Sequence, residues 1–175
     1  MKTNIGLNDE ARFEIGQMLN LLLADEYVLS VTTRDYHWNV TGPEFHGLHQ
    51  LFESHFAQLS VRLEQVAERA RAIGVGARGN WADLAAAARG SADPGIGLAA
   101  EHMLAELLAL HEDLVLQLRK DIPSCERLGD PGTAVFLTEL LRQHEKTAWI
   151  LRSQLETESD EGATRPPFFV HGQNQ

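Results

Sequence analysis

Apolar side chains recur along this chain at three- and four-residue intervals in four long blocks, the period of helices that bury one stripe. The first block starts at Asn8, a good N-cap. It carries Phe13, Leu19, Leu22, Leu23 and Leu29 to about His37 or Trp38. The second follows "VTGP", with Thr41 and Glu44 spaced as a capping box and Pro43 in the first turn. It runs through Leu48, Phe52, Phe56, Leu59, Leu63, Val66 and Ile73 until Gly74 and Gly76 end it. "NWADLAAAAR" predicts a helix of about three turns, capped by Asn80 with Asp83 in its first turn, set inside a long crossover. The third long block carries Met103, Leu104, Leu107, Leu108, Leu114, Val115 and Leu118 and is expected to stop near Ile122 and Pro123. The fourth opens at "GDPGT" with Asp130 as N-cap and Pro131 at the first helical position, and runs through Leu137, Leu140, Leu141 and Leu151 to about Glu158.

No segment alternates apolar and polar residues between hairpin turns, so the fold class is all-α. Short links join the first two and the last two long helices, and a long crossover joins the second to the third. That connectivity is the ferritin-like four-helix bundle, here with a short extra helix in the crossover. Residues 1–158 are expected to form the bundle, and residues 159–175, "SDEGATRPPFFVHGQNQ", a polar tail.

Charge changes what such a bundle is suited to hold. The 175 residues carry 15 Lys and Arg against 25 Asp and Glu, a formal net charge of −10, which argues against a globally basic surface for nucleic acid and favours cations. The single cysteine, Cys125, allows no intrachain disulfide. The N-terminal residues lack the apolar core of a signal peptide and no run approaches a membrane span, so a cytoplasmic protein with no membrane partner is expected.

Four of the 8 histidines fall between Asp35 and His55, among carboxylates. Bundles with an internal di-metal site usually build it from Glu-x-x-His pairs, and no histidine here has Glu three residues before it. The second long helix instead offers His49 with Glu53 and, farther along, Glu64 with Glu68, each pair spaced i, i+4 and so on one face. His49 and Glu64 stand about 22 Å apart along a straight helix and only some 60° apart around it. Two half-sites at opposite ends of one face would be joined by an antiparallel two-fold pairing of this helix. His37, across the tight turn, can reach the His49 end. The inferred site is therefore two imidazoles and one carboxylate from one chain with two carboxylates from its partner. Oxygen-rich ligands with imidazoles and no thiolate favour iron, with zinc or manganese as competitors. The same carboxylates also admit a plainer reading, with "ERAR" as a salt-bridged exposed face.

The strings "LLADEYVLSVTTRDYHWNVTGPEFHGLHQLFE" and "EQVAERARAIG", followed by "GDPGTAVFLTELLRQHEKTAWILRSQL", resemble the Dps family, the DNA-binding proteins from starved cells or mini-ferritins. The resemblance covers about residues 7 to 157. It implies a hollow homo-dodecamer that oxidises Fe(II) with hydrogen peroxide at sites on the subunit two-folds and stores ferric mineral inside. The family's ferroxidase ligands fall on His37, His49, Glu53, Glu64 and Glu68. Many members carry Asp where Glu53 and Glu64 stand, and one extra methylene on each moves the carboxylate enough to alter metal spacing or preference. Family pores carry acids near the start of the last helix, where Asp130 stands. Some members compact DNA through a lysine-rich arm. The first eight residues here hold one Lys, and the tail one Arg against two acids, so DNA binding is expected to be weak or absent.

Overall fold

The computed structural model describes residues 3–91 and 95–156; the expected tail and the boundary at 158 lie outside them. Five helices follow in chain order: α1 Asp9–Asn39, α2 Phe45–Ala72, α3 Trp81–Ala87, α4 Ala100–Arg127 and α5 Pro131–Leu155. No strand occurs among the described residues. The fold is all-α, with α3 in the crossover.

Three of the predicted starts are made by the side chains expected. Asn8 accepts from the Ala11 amide, Asn80 from Ala82, and Asp130 from Thr133. Each satisfies a backbone donor that the first helical turn leaves open. The capping box at Thr41 and Glu44 does not form. Residues 42–44 make a turn instead, and α2 begins at Phe45 after Glu44, whose side chain makes no capping hydrogen bond. The expected stop at Pro123 is also corrected. Pro123 sits inside α4, which runs on to Arg127. Proline removes one amide donor from the ladder without ending it when packing holds both flanks, and here Asp121 and Cys125 are both buried. The helix stops just before Gly129, whose φ of 78° suits glycine.

α1 packs along α2 and α4 along α5, with α1 also against α3 and α4. The core is one stripe from each long helix: Ile15, Leu19, Leu22 and Leu29; Phe52, Leu59 and Val66; Met103, Leu107 and Leu118; Leu137, Leu140 and Leu151. Each such side chain contributes about 1.5–3 kcal/mol on burial. The crossover is pinned at its start. Asn20 donates to the Gly76 carbonyl (3.0 Å) and accepts from the Arg78 amide (2.8 Å). Gly16 is needed beneath this segment, because a Cβ there would lie 2.5 Å from Val75 Cγ1.

Asp130 joins the two helix pairs. Arg69 of α2 donates through Nη2 to both of its carboxylate oxygens (2.9 and 3.1 Å) and through Nε to Thr133 Oγ1 (2.8 Å). Although burial opposes it, hydrogen bonds from Thr133 and the Arg69 charge hold the Asp130 carboxyl below its ordinary range. Asp130 is only 4% exposed. Within the chain it is a buried cap and ion-pair partner.

Candidate metal centre

The turn between α1 and α2 brings His37 and His49 face to face, with ring centroids 3.8 Å apart and 24° between planes. Each ring is held by the other residue's backbone. His37 Nδ1 lies 2.9 Å from the His49 carbonyl, and His49 Nδ1 lies 2.8 Å from the His37 carbonyl. A carbonyl only accepts, so both Nδ1 atoms carry hydrogen and donate. In the neutral rings this leaves the lone pair on Nε2 in both cases, the form in which imidazole binds a metal, and backbone acceptors of this kind set the tautomer of metal-binding histidines. Phe56 packs edge-on against His37, and Phe45 lies against His49.

Glu53 stands one turn beyond His49 on α2, with Glu64 and Glu68 farther along, and all three are exposed. None of them makes a hydrogen bond or ion pair among the described residues. The arginines that a salt-bridged "ERAR" face would use are engaged elsewhere, Arg69 with Asp130 and Arg71 with the Val75 carbonyl. Around these donors the surface carries apolar side chains in the open: Trp38 at 69%, Phe45 at 44% and Val61 at 58% exposure. Within one chain the structure brings His37 and His49 together and leaves Glu64 and Glu68 at the other end of α2. Among the described residues, no group of three or more His, Cys, Asp or Glu is placed to hold a metal ion. Cys125 adds no thiolate, since burial pushes its pKa up to about 11.

Sequence reasoning missed a polar cluster inside the bundle, to which four helices contribute. His144 Nε2–H of α5 donates to Glu26 Oε1 of α1 (2.7 Å), and its Nδ1 lies 2.9 Å from Nδ1 of His111 on α4. The His111 ring is 6.5 Å from that of His55 on α2, and Arg62, one helix face along, is 4% exposed. Burial lowers the His55 pKa to about 4, with the Arg62 charge adding to it, and lowers that of His111 well below its ordinary value. The available signal was positional: His111 sits between Leu107 and Leu114, and Glu26 between Leu22 and Leu29, on the apolar stripes themselves. His55 is therefore a core residue, and His46 is exposed before it on α2.

A ferritin-like domain family model matches residues 16–159. The chain is 41% identical over 159 residues to a low temperature-induced protein of Nostoc sp., itself described as uncharacterized, covering 89% of this chain and 87% of that protein. It is 28% identical over 158 residues to the DNA protection during starvation protein of Agrobacterium fabrum, covering 90% and 98%. Its structure is similar to the crystal structure of a Dps protein from Vibrio cholerae O1, described as a member of a broad superfamily of ferritin-like diiron-carboxylate proteins. The TM-score there is 0.81 at 28% identity, with 89% of this chain and 98% of the other covered.

Proposed function

Since the chain belongs to the Dps family of ferritin-like proteins, we propose that it oxidises Fe(II) with hydrogen peroxide at sites shared between two subunits and stores the ferric product in a dodecameric shell, protecting cytoplasmic DNA from oxidative damage. The observation that carries this reading is the reciprocal pairing of His37 and His49, which leaves both Nε2 lone pairs free for a metal. Imidazole pairs in ordinary surface roles have no need of matched tautomers.

Iron is the substrate. His37, His49 and Glu53 of one chain face Glu64 and Glu68 of the partner subunit when two α2 helices pair antiparallel. The three carboxylates offset most of the charge of two ferrous ions. Glu68 anchors the tighter ion, with His49 and Glu53 beside it, and His37 with Glu64 hold the second ion or its water. Peroxide accepts two electrons, one from each ion: two Fe(II), one H2O2 and two protons give two Fe(III) and two H2O, and no hydroxyl radical is released. The exposed Trp38, Phe45 and Val61 support such a pairing, since a partner helix would cover them. Shared chemistry of this kind also accounts for unpaired carboxylates on an acidic helix face.

DNA compaction ranks below iron chemistry because of the net charge of −10. A gel shift at low salt with intact shells that weakens as salt rises would reverse that order.

The test is anaerobic addition of Fe(II) to the purified shell, then peroxide or oxygen, following ferric absorbance and iron retained. Peroxide is expected to be the faster oxidant. Glu68→Ala should slow oxidation at least about tenfold while the sizing profile stays unchanged. Oxidation no faster than in protein-free buffer would refute the reading.

A further inference from the structure

Between α2 and α5 lies a cleft of about 370 Å³, within the roughly 300–1,000 Å³ common for small-molecule sites. Arg62 and His55 of α2 line it, with Gln143, Lys146 and Thr147 of α5 opposite. It is separate from the stacked His37 and His49 pair.

Arg62 has an unusual situation. Its side chain is 4% exposed, yet no carboxylate stands within ion-pair distance of it among the described residues. Its hydrogen bonds go to neutral amides: Nε donates to Gln143 Oε1 (2.9 Å), and Nη2 makes a long contact with Gln58 Oε1 (3.5 Å). The rest of its donor fork has no partner among the described residues. A guanidinium taken this far out of water ordinarily has an anion against it, whereas the buried Glu26 carboxylate, whose charge acts on Arg62, stands beyond ion-pair distance. His55, beside it, is 5% exposed, and its Nδ1 has no hydrogen-bond partner among the described residues.

The imidazoles nearby invite a metal, but the charge is of the wrong sign. Arg62 raises the potential around His55 and His111, which opposes a divalent cation, and no three donors among the described residues are spaced for one. The same charge favours an anion. Lys146, exposed at the rim, adds a second positive charge, and no acid lines the cleft.

We propose that this cleft binds a small oxyanion, phosphate or one of similar shape, held by the planar donor fork of Arg62 and drawn in by Lys146. Guanidinium groups match the paired oxygens of such anions. Gln143 has the further role of orienting the fork, since its Oε1 holds Arg62 Nε.

The experiment uses iron-free, assembled protein, so it is independent of the ferroxidase reading. Equilibrium dialysis against radiolabelled inorganic phosphate, at ionic strength fixed with chloride, should give saturable binding approaching one phosphate per chain, displaced by sulfate. Arg62→Gln should weaken binding at least about tenfold, and Lys146→Glu about threefold or more. Lys146 is exposed, so its variant decides the question even where Arg62→Gln does not assemble. Absence of saturable binding in the wild type would overturn the proposal. So would binding that Lys146→Glu leaves unchanged.

Discussion

Mixing two inactive variants should revive iron oxidation. The perturbation is co-expression of His49→Ala with Glu68→Ala, each with its own affinity tag. In one straight helix the 19 residues from position 49 to 68 span about 28 Å, too far for both side chains to serve one site within a chain. With an antiparallel two-fold pair, each site takes its imidazoles from one subunit and its Glu68 from the other. A mixed pair then holds one site with both lesions and one with neither. If subunits pair at random and p is the fraction of one variant, the intact share of all sites is p(1 − p), at most about one quarter when both are equally abundant. Peroxide-driven oxidation in shells purified through both tags should therefore reach about a quarter of the wild-type rate and decline along that curve as the ratio is skewed. Either variant alone should remain near the protein-free rate. A site built within a single chain carries a lesion in every mixture and restores nothing. Shells shown to contain both tags, with no recovery at any ratio, would refute the shared site.

Acid should weaken the fold through its buried imidazoles. The folded pKa of His55 is depressed from 6.5 to about 4, so its contribution is fully present above pH 6.5 and lost as pH falls through the folded value, roughly 3 kcal/mol in all. His111 acts in the same direction, and urea melts of His55→Leu should show a shallower acid slope than wild type; an identical slope counts against the assignment. Asp130→Ala removes a helix cap and the partner of Arg69 together, and should cost about 2 kcal/mol, read as a lower urea midpoint with secondary structure retained. Restoring the shorter acid by Glu53→Asp and Glu64→Asp should shift the balance between iron and zinc, seen as a changed zinc concentration for half-inhibition of iron oxidation. Equal inhibition of both proteins would show that the extra methylenes are inconsequential.

The helices were legible because their stripes are long and their caps strong: Asn8, Asn80 and Asp130 each accept the amide that their chemistry predicts. What failed was local and rested on single residues. Thr41 and Glu44 have capping-box spacing, but the chain spends those residues turning tightly enough to stack His37 on His49. Pro123 marks a helix end only when nothing beyond it is packed, and Cys125 is buried. The polar cluster of Glu26, His111 and His144 has no spaced motif on any one helix, because its members are singletons on separate apolar stripes. At the candidate centre, spacing singled out residues on α2, but the matched tautomers of His37 and His49 depend on how two backbones approach across the turn, which no periodicity encodes. The proposed union of two half-sites would belong to an assembly of chains, which the co-expression experiment tests.

The reciprocal bonds between His37 and His49 make the turn between α1 and α2, rather than either side chain, the element that orients both rings. Each ring owes its proton placement to the other residue's backbone, so a change that loosens one end of the turn removes the acceptor that orients the opposite ring. Loss of one imidazole leaves that residue's carbonyl in place, so the remaining ring should keep its acceptor and the two losses should act separately. A shift in the turn itself, by contrast, should disturb both rings at once.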